Sequence, residues 1–424
     1  MRSLLKHIYS PLFLVFFFTL TPFVIPMSDF LNDQTRGLSR SVGIDFELYI
    51  YALTCVLAFW FGYKLFIASG SLAPMKEQYR EISLRATKKS RRAIILAVFV
   101  LLAVGFVILF YTISGSYVED LIQSALTQEA NPALRESSEG FIASESVPGI
   151  LRMFTFSIMG CLIVMYAIGL VAPPWLRGWR VYWFLLLLSG LAVFARSLII
   201  LDRSSLIIAL ALGVFVLIHR VRLTKAQLFS AALSITILLT IIIIFINFSY
   251  SIRVSSDDKY NQILEYADLG IANASLAYRT TSQFGWGTFT LMGPIRMIPR
   301  GLGINFEFPL PDSEWIWSTA SNLLCISIKE FWIFGFIIYL IYGAVMGRVI
   351  RGRRNHPQSI FWGVAHLWSI SILLSIWMEP AVYSPDFWTA IFITLITGRY
   401  MDRISCSTRH KVSCRAEIKE AFCD

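Results

Sequence analysis

The stretch AIILAVFVLLAVGFVILFYT, Ala93 to Thr112, decides the fold class. It is twenty residues without a charge, and at 1.5 Å per residue a helix of that length crosses a hydrocarbon core of about 30 Å. A second run, Ala231 to Phe248, has the same character. The whole chain of 424 residues is 56% hydrophobic and only 15% charged, with mean hydropathy +0.64. A soluble domain of this size has too little interior for that much apolar surface. The expected class is an all-α polytopic membrane protein, with 1–424 forming a single integral membrane domain.

Outward from that run, apolar segments at 8–27, 46–68, 93–114, 149–171, 181–198, 202–219, 226–248, 326–347, 359–378 and 386–400 suggest about ten spans. The loops between them alternate in charge. Loop 69–92 holds Lys76, Arg80, Arg85, Lys88, Lys89, Arg91 and Arg92, whereas loop 115–148 sets Glu119, Asp120, Glu129, Glu136, Glu139 and Glu145 against Arg135 alone. Arg177 and Arg180, then Arg220, Arg222 and Lys225, then Arg348, Arg351, Arg353 and Arg354 mark further basic turns. Positive charge collects on the cytoplasmic side, so both termini and the tail 401–424 are expected in the cytoplasm. The same pattern accounts for the net charge of +10 without invoking nucleic acid. The first apolar run, with Arg2 and Lys6 before it, reads as a retained helix because no small-residue cleavage site follows it.

Two segments are left outside: the acidic loop 115–148, and 249–325, a turn-rich stretch holding Trp286, Trp315 and Trp317. A loop that long is uncommon unless it is functional. The six cysteines match no metal or disulfide spacing, and no metal or other cofactor is expected. His366, inside a span, reads as a satisfied polar contact.

Arginine on the outer side runs against the charge bias, which makes Arg152, Arg196, Arg203, Arg253, Arg279, Arg296 and Arg300 conspicuous. Arg196 and Arg203 lie in FARSLIILDRSSL, Phe194 to Leu206, between two short apolar runs. They share a face of one helix, or they flank the tip of a hairpin; in either case they sit near the outer interface. A guanidinium there can grip a phosphate through two parallel hydrogen bonds; snorkelling toward headgroups beside Asp202 is the plainer alternative. In RMIPRGLGINFEFPLPDSEW, Arg296 to Trp315, arginines stand close to Glu307, Asp312 and Glu314. Cations offset an anionic leaving group, and a carboxylate can take a hydroxyl proton. Arg279 reads equally as a third anchor or as a structural ion pair. Lys329 and Glu330 open the eighth span, where pairing with each other is the plain reading. Glu379 and Asp386 bracket a short outer turn.

These motifs together resemble a known family. The hairpin with ARSLIILDRSSLI at its tip, the segment MIPRGLG, and IKEFWIFGFIIYLIYGAVMGRVI from Ile328 to Ile350 resemble the bacterial oligosaccharide repeat-unit polymerases of the Wzy type, the O-antigen polymerases. The likeness rests on motifs over 180–350 and on topology elsewhere. No Arg-x10-Gly repeats of the kind described in some of these enzymes occur here. The resemblance implies a GT-C-like polymerase/ligase architecture with one large periplasmic loop. It implies metal-independent glycosyl transfer between undecaprenyl-pyrophosphate-linked oligosaccharides, releasing undecaprenyl pyrophosphate, as a step of lipopolysaccharide or other surface polysaccharide biosynthesis. Arg196, Arg203, Arg279, Arg296 and Arg300 would hold pyrophosphate, and Glu314 or Asp312 would serve as base. The partners would be the lipid-linked oligosaccharide, membrane lipid and, at the acidic loop, a chain-length regulator. An O-antigen ligase-like transferase is the nearest rival, disfavoured because 249–325 contains no histidine. A lipid-linked oligosaccharide transporter, or flippase, is the rival from another class.

Overall fold

The computed structural model describes residues 9–33, 35, 37–68, 88–112, 119–120, 122–124, 157–171, 180–200, 203–220, 240, 262–281, 322–376 and 387–404. Among these the regular structure is helical and no strand occurs. The principal helices are α1 (Pro11–Leu20), α2 (Leu38–Val42), α3 (Phe46–Ala68), α4 (Lys88–Thr112), α5 (Ser157–Val171), α6 (Arg180–Ile200), α7 (Arg203–Arg220), α8 (Gln262–Thr280), α9 (Leu323–Phe331), α10 (Phe336–Asn355), α11 (Ile360–Ser375) and α12 (387–404). Four stretches among the described residues are long and apolar enough to cross a membrane: Phe46–Ile67, Arg91–Leu109, Arg180–Ile199 and Leu323–Asn355. Pro11–Met27, Ser157–Val171, Ser205–His219 and Ile360–Ser375 are shorter apolar helices.

The outside of the bundle is as apolar as its inside. In α3 the buried set is Leu48, Tyr51, Ala52, Cys55, Val56 and Phe59, a stripe at helical spacing, while Leu57, Trp60, Phe61 and Leu65 point outward. Leu57 is 64% exposed, Leu187 62% and Ile396 69%. Apolar surface on that scale needs a lipid solvent. This is a helical membrane protein.

Helix α5 lies at the centre. Nearly all its side chains are buried, as expected of a helix that is apolar all round. Its few polar atoms bond to neighbouring helices or to their backbones. Ser157 Oγ donates to the Leu101 carbonyl at 3.0 Å, and Tyr182 Oη of α6 donates to the Met165 carbonyl at 3.0 Å. Gly160 lets α12 approach: a Cβ there would come 2.7 Å from Thr394 Cγ2.

The closest pair is α3 and α10, which run parallel. Tyr51 meets Gly335, Phe59 meets Gly343 and Tyr63 meets Gly347, a constant offset along both chains. Gly343 and Gly347 stand four apart on one face of α10, against the carbonyls of Phe59 and Tyr63. Small residues at that spacing let membrane helices pack backbone to backbone.

Contacts also gather the basic helix ends. The Arg353 guanidinium donates to the Leu170 carbonyl at 3.5 Å, Gly352 packs on Trp362, and Gly363 packs on Val171. The Asp402 carboxylate caps α11 by accepting from Ile360 N at 2.8 Å, Phe361 N at 3.3 Å and Ser359 Oγ at 2.6 Å. Phe215 of α7 meets His366 of α11 edge-on at 5.3 Å. The C-terminal ends of α3, α5, α7, α10 and α12 therefore share one pole with the start of α11. That pole carries Arg220, Arg348, Arg351, Arg353, Arg354, Arg399 and Arg403.

The opposite pole differs from the sequence expectation. Segment 249–325, expected to be turn-rich, contains α8, a 19-residue helix. Its buried residues are mostly small, Ala267, Gly270, Ala272, Ala274, Ser275 and Ala277 with Leu269 and Ile271 among them, which allows close packing on α2 and α9. Short apolar side chains dispersed among polar ones gave this helix too little hydropathy to stand out as an element. Helices α2, α8 and α9 make a layer over this end of the bundle.

Candidate functional site

The first constellation is the α6–α7 hairpin. Arg196 Nη1 donates to Ser205 Oγ at 3.2 Å. On one continuous helix nine residues rise about 13.5 Å, beyond the reach of those two side chains. The chain therefore doubles back after Ile200, which decides between the two geometries open at the sequence level. The tip lies at the pole opposite the basic one, since α6 begins at Arg180 and α7 ends at Arg220. Arg196 sits four residues before the end of α6 and is only 3% exposed. Snorkelling is not what this side chain does: it turns into the protein. Arg203 is the first residue of α7, nearer the tip; its side chain lies outside the described residues. Arg296, Arg300, Asp312 and Glu314 also lie outside them, as do Arg152, Arg253, Glu307, Glu379 and Asp386.

Arg279 is described, and it is engaged at the layer. Its Nε donates to Asp45 Oδ2 at 2.7 Å and its Nη2 to Asp45 Oδ1 at 2.9 Å, a bidentate pair. Nη1 and Nη2 also donate to the carbonyls of Val42 at 2.7 Å and Gly43 at 3.3 Å. This is the ion-pair reading of Arg279, and the guanidinium is taken up in joining the end of α8 to the turn before α3. The hydrogen bond from Arg279, and then its charge, hold the Asp45 carboxyl below the usual carboxylate range. A depressed carboxylate stabilises the fold above its unfolded pKa, and that contribution is lost as pH falls through the folded value. The pair is exposed, so the effect is small and local. Hydrogen exchange at the C-terminal turn of α8 is expected to quicken only under acid, and Asp45→Asn should give the acid behaviour at neutral pH.

Asp268, buried on α8, carries more. Its carboxylate accepts from Leu38 N at 2.8 Å, Ser39 N at 3.3 Å and Ser39 Oγ. Helix α2 begins at Gly37, φ +65, which has no side chain to cap it. Asp268 supplies that cap from another helix, setting a negative charge at a helix N-terminus. Asp268→Ala leaves these donors buried and unmatched, an expected loss of about 2–3 kcal/mol. Thermal unfolding in detergent checks it; Asp268→Asn should recover part of the loss.

The second constellation was not legible as a site in the sequence. Helix α9 is N-capped by Asn322, whose Oδ1 accepts from Cys325 N at 2.9 Å, and Leu323 N donates to the Ile376 carbonyl at 3.0 Å. Leu323–Asn355, a 33-residue apolar stretch, is not one rod. The chain turns at Trp332, whose φ is 48, the only non-glycine residue among those described with positive φ. A bulky side chain in that region is strained, and such strain gathers at functional positions. The turn brings Gly335 back against the Ser327 carbonyl and the Tyr51 hydroxyl, leaving no space for a Cβ. Tyr51 Oη donates to the Trp332 carbonyl at 3.1 Å and lies 3.5 Å from Ser327 Oγ. Lys329 and Glu330 occupy the last turn of α9, both fully buried. Neighbours on a helix point about 100° apart, and both side chains lie within the packed interior at this broken end of the stretch. The available signal was two ionisable residues in an apolar run; periodicity alone could not reveal that the helix breaks after them.

His366 lies toward the basic pole, away from the hairpin tip, and its Nδ1 has no hydrogen-bond partner among the described residues. Its ring packs edge-on against Phe215. No group of metal-ligating side chains occurs among the described residues. No family model, curated protein or solved structure matches the chain.

Proposed function

We propose that this chain is an inner-membrane glycosyltransferase that polymerises undecaprenyl-pyrophosphate-linked oligosaccharide repeat units. The basic pole faces the cytoplasm and the hairpin tip the periplasm. About ten spans, including segments outside the described residues, form a GT-C-like body with 249–325 on the outer side. The observation that carries the reading is Arg196: a guanidinium held inside the bundle at the pole opposite the basic helix ends. Such a group suits a lipid-borne anion. The acceptor sugar hydroxyl loses its proton to Asp312 or Glu314, its oxygen bonds to the anomeric carbon of the growing chain, and the bond to pyrophosphate breaks. Arg196 and Arg203, with Arg296 and Arg300, offset the charge that builds on the leaving group. Arg279, occupied by Asp45, holds the layer in place in this scheme.

The test is the surface polysaccharide of the native host run on a gel. Arg203→Ala and Arg300→Ala, at normal protein level, are expected to reduce the long ladder to a single capped unit. An unaltered ladder in both sinks the assignment.

One observation favours a second reading, a transporter of the same lipid-linked unit. Broken helices with buried charges are a feature of transporter cores, and α9–α10 with Lys329 and Glu330 has that form. Deletion of the gene separates the two. Lipid-linked units stranded on the cytoplasmic face mean transport; units delivered to the periplasmic face but left unjoined mean polymerisation.

A further inference from the structure

The outward faces of the bundle carry a charge pattern of their own. On α3 the exposed residues Leu57 and Phe61 are followed, one turn on, by exposed Lys64. On α10 exposed Ile341 and Val345 lead to Arg348, and on α12 exposed Phe392 and Ile396 lead to Arg399 and Arg403. Two stripes begin with the cation instead. Exposed Arg92 precedes Leu96, Phe99 and Val107 on α4, and exposed Arg180 precedes Phe184, Leu187 and Leu191 on α6. The helical spacing keeps each set on one face. These cations therefore stand on the faces that meet lipid, at the basic end of each.

Arg92 and Arg180 also stand at one depth. Helix α4 packs on α6, and both pack on α5. Ser157 of α5 bonds to the Leu101 carbonyl, and Cys161 Sγ donates to the Val98 carbonyl at 3.6 Å. As α5 runs toward the basic pole, α4 thus runs away from it, and one turn further Met165 comes level with Ile95. Tyr182 of α6 bonds to that same Met165 carbonyl. Arg92 and Arg180 follow Ile95 and Tyr182 toward the basic pole by two to three residues. The axes of touching helices lie about 8–10 Å apart, so two flexible guanidinium arms can meet phosphates joined by one glycerol. Exposed Trp183 beside Arg180 suits the headgroup level, where tryptophan gathers. Among the described residues no carboxylate pairs with Arg92 or Arg180.

We infer that the α4–α6 face at the basic pole binds an anionic phospholipid with two phosphates in its headgroup, a diphosphatidylglycerol. Arg92 takes one phosphate and Arg180 the other. The acyl chains lie along Leu96, Phe99 and Val107 on one helix and along Phe184, Leu187 and Leu191 on the next. Charge complementarity selects the headgroup, and the site continues the apolar surface that already faces lipid. It lies at the pole opposite the α6–α7 hairpin tip and does not depend on the reaction proposed above.

Native mass spectrometry of the purified full chain tests it, with diphosphatidylglycerol, phosphatidylglycerol and phosphatidylcholine added separately. Diphosphatidylglycerol is expected to be retained most strongly and phosphatidylcholine least. Arg92→Gln and Arg180→Gln should each weaken retention of diphosphatidylglycerol about fivefold, the share of one surface cation facing an anionic headgroup, and the double variant about twenty-five-fold. Arg92→Lys and Arg180→Lys should keep most of it, since the charge stays at the same depth. All of these variants should unfold in lipid-free detergent at the temperature of the unmodified protein, because neither side chain bonds to another described residue. Arg348→Gln, on the stripe of α10, is the control expected to leave this lipid in place. Undiminished retention in the double variant overturns the inference. So does an equal loss in Arg348→Gln, which marks a diffuse cationic rim. Retention of phosphatidylglycerol as strong as that of diphosphatidylglycerol overturns the two-phosphate assignment.

Discussion

Gly343→Leu is expected to prevent the protein from accumulating in the membrane. A Cβ at this position falls inside the van der Waals surface of the Phe59 carbonyl, and that oxygen belongs to a helix backbone that cannot rotate aside. The clash repeats along the seam. Gly347 would set a Cβ 2.6 Å from the Tyr63 carbonyl, and Gly62 answers from the other helix against Leu340. One leucine therefore forces α3 and α10 apart over their whole contact, since two parallel helices separate as units. In a membrane no hydrophobic driving force pulls them back, because lipid covers the exposed faces equally well. Overpacking of a close seam costs about 1–3 kcal/mol, and more where backbone is the obstacle. The displacement also lifts Gly335 from Tyr51 and opens the turn that holds Lys329 and Glu330. Membrane-fraction blots and detergent unfolding check the effect. Gly343→Ala carries the same Cβ into the same backbone carbonyl and should also fail to accumulate. Gly190→Ala, where no described atom lies within 4 Å of the added Cβ, is the control that should be neutral for folding. Equal accumulation of Gly343→Leu and the unmodified protein would show that the seam is not a packed one.

Arg196→Ala should leave the protein in the membrane and remove its activity in the host. The guanidinium is buried at the hairpin tip with Ser205 as a partner, so truncation deletes a cation from a place where water cannot replace it. Loss of one preorganised donor to a developing charge lowers a rate by about a hundred- to thousandfold. A polysaccharide ladder responds to that as disappearance of its long members. Arg196→Lys should restore little, because an ammonium lacks the planar fork that meets two oxygens at once. If Arg196→Lys matches the unmodified protein, a point charge is sufficient and two-point recognition is wrong. If Arg196→Ala polymerises normally at normal abundance, the hairpin is a structural corner and the functional reading loses its main support.

How legible each part was follows from the distance over which its determinants act. The membrane class was visible in Ala93–Thr112 because hydropathy is additive along a segment and needs no knowledge of partners. The pole bearing Arg220 and Arg348 to Arg354 was visible for the same reason, as loop charge is a local count. Arg196 and Arg203 could be singled out by being charges on the wrong side of that count. Helix α8 escaped notice because its buried residues are mostly alanine, glycine and short polar side chains, with only Leu269 and Ile271 strongly apolar, so burial there comes from close approach more than from hydropathy. The spacing of Gly343 and Gly347 was present in the sequence, yet its meaning depended on which helix came alongside.

The sequence by itself determined that this is a helical membrane protein, where its most apolar segments fall and which helix ends carry positive charge. Each of those is a property of a segment in its solvent. Only the tertiary structure decided that Arg196 turns inward across a hairpin, that Arg279 is bound by Asp45 while Asp268 caps a helix far from it in the chain, and that the stretch around Trp332 breaks and buries Lys329 and Glu330. Those depend on pairs of groups more than 200 residues apart in some cases, such as Arg279 with Asp45 at a separation of 234. The energy of such a pair exists only once packing has brought both members out of solvent together.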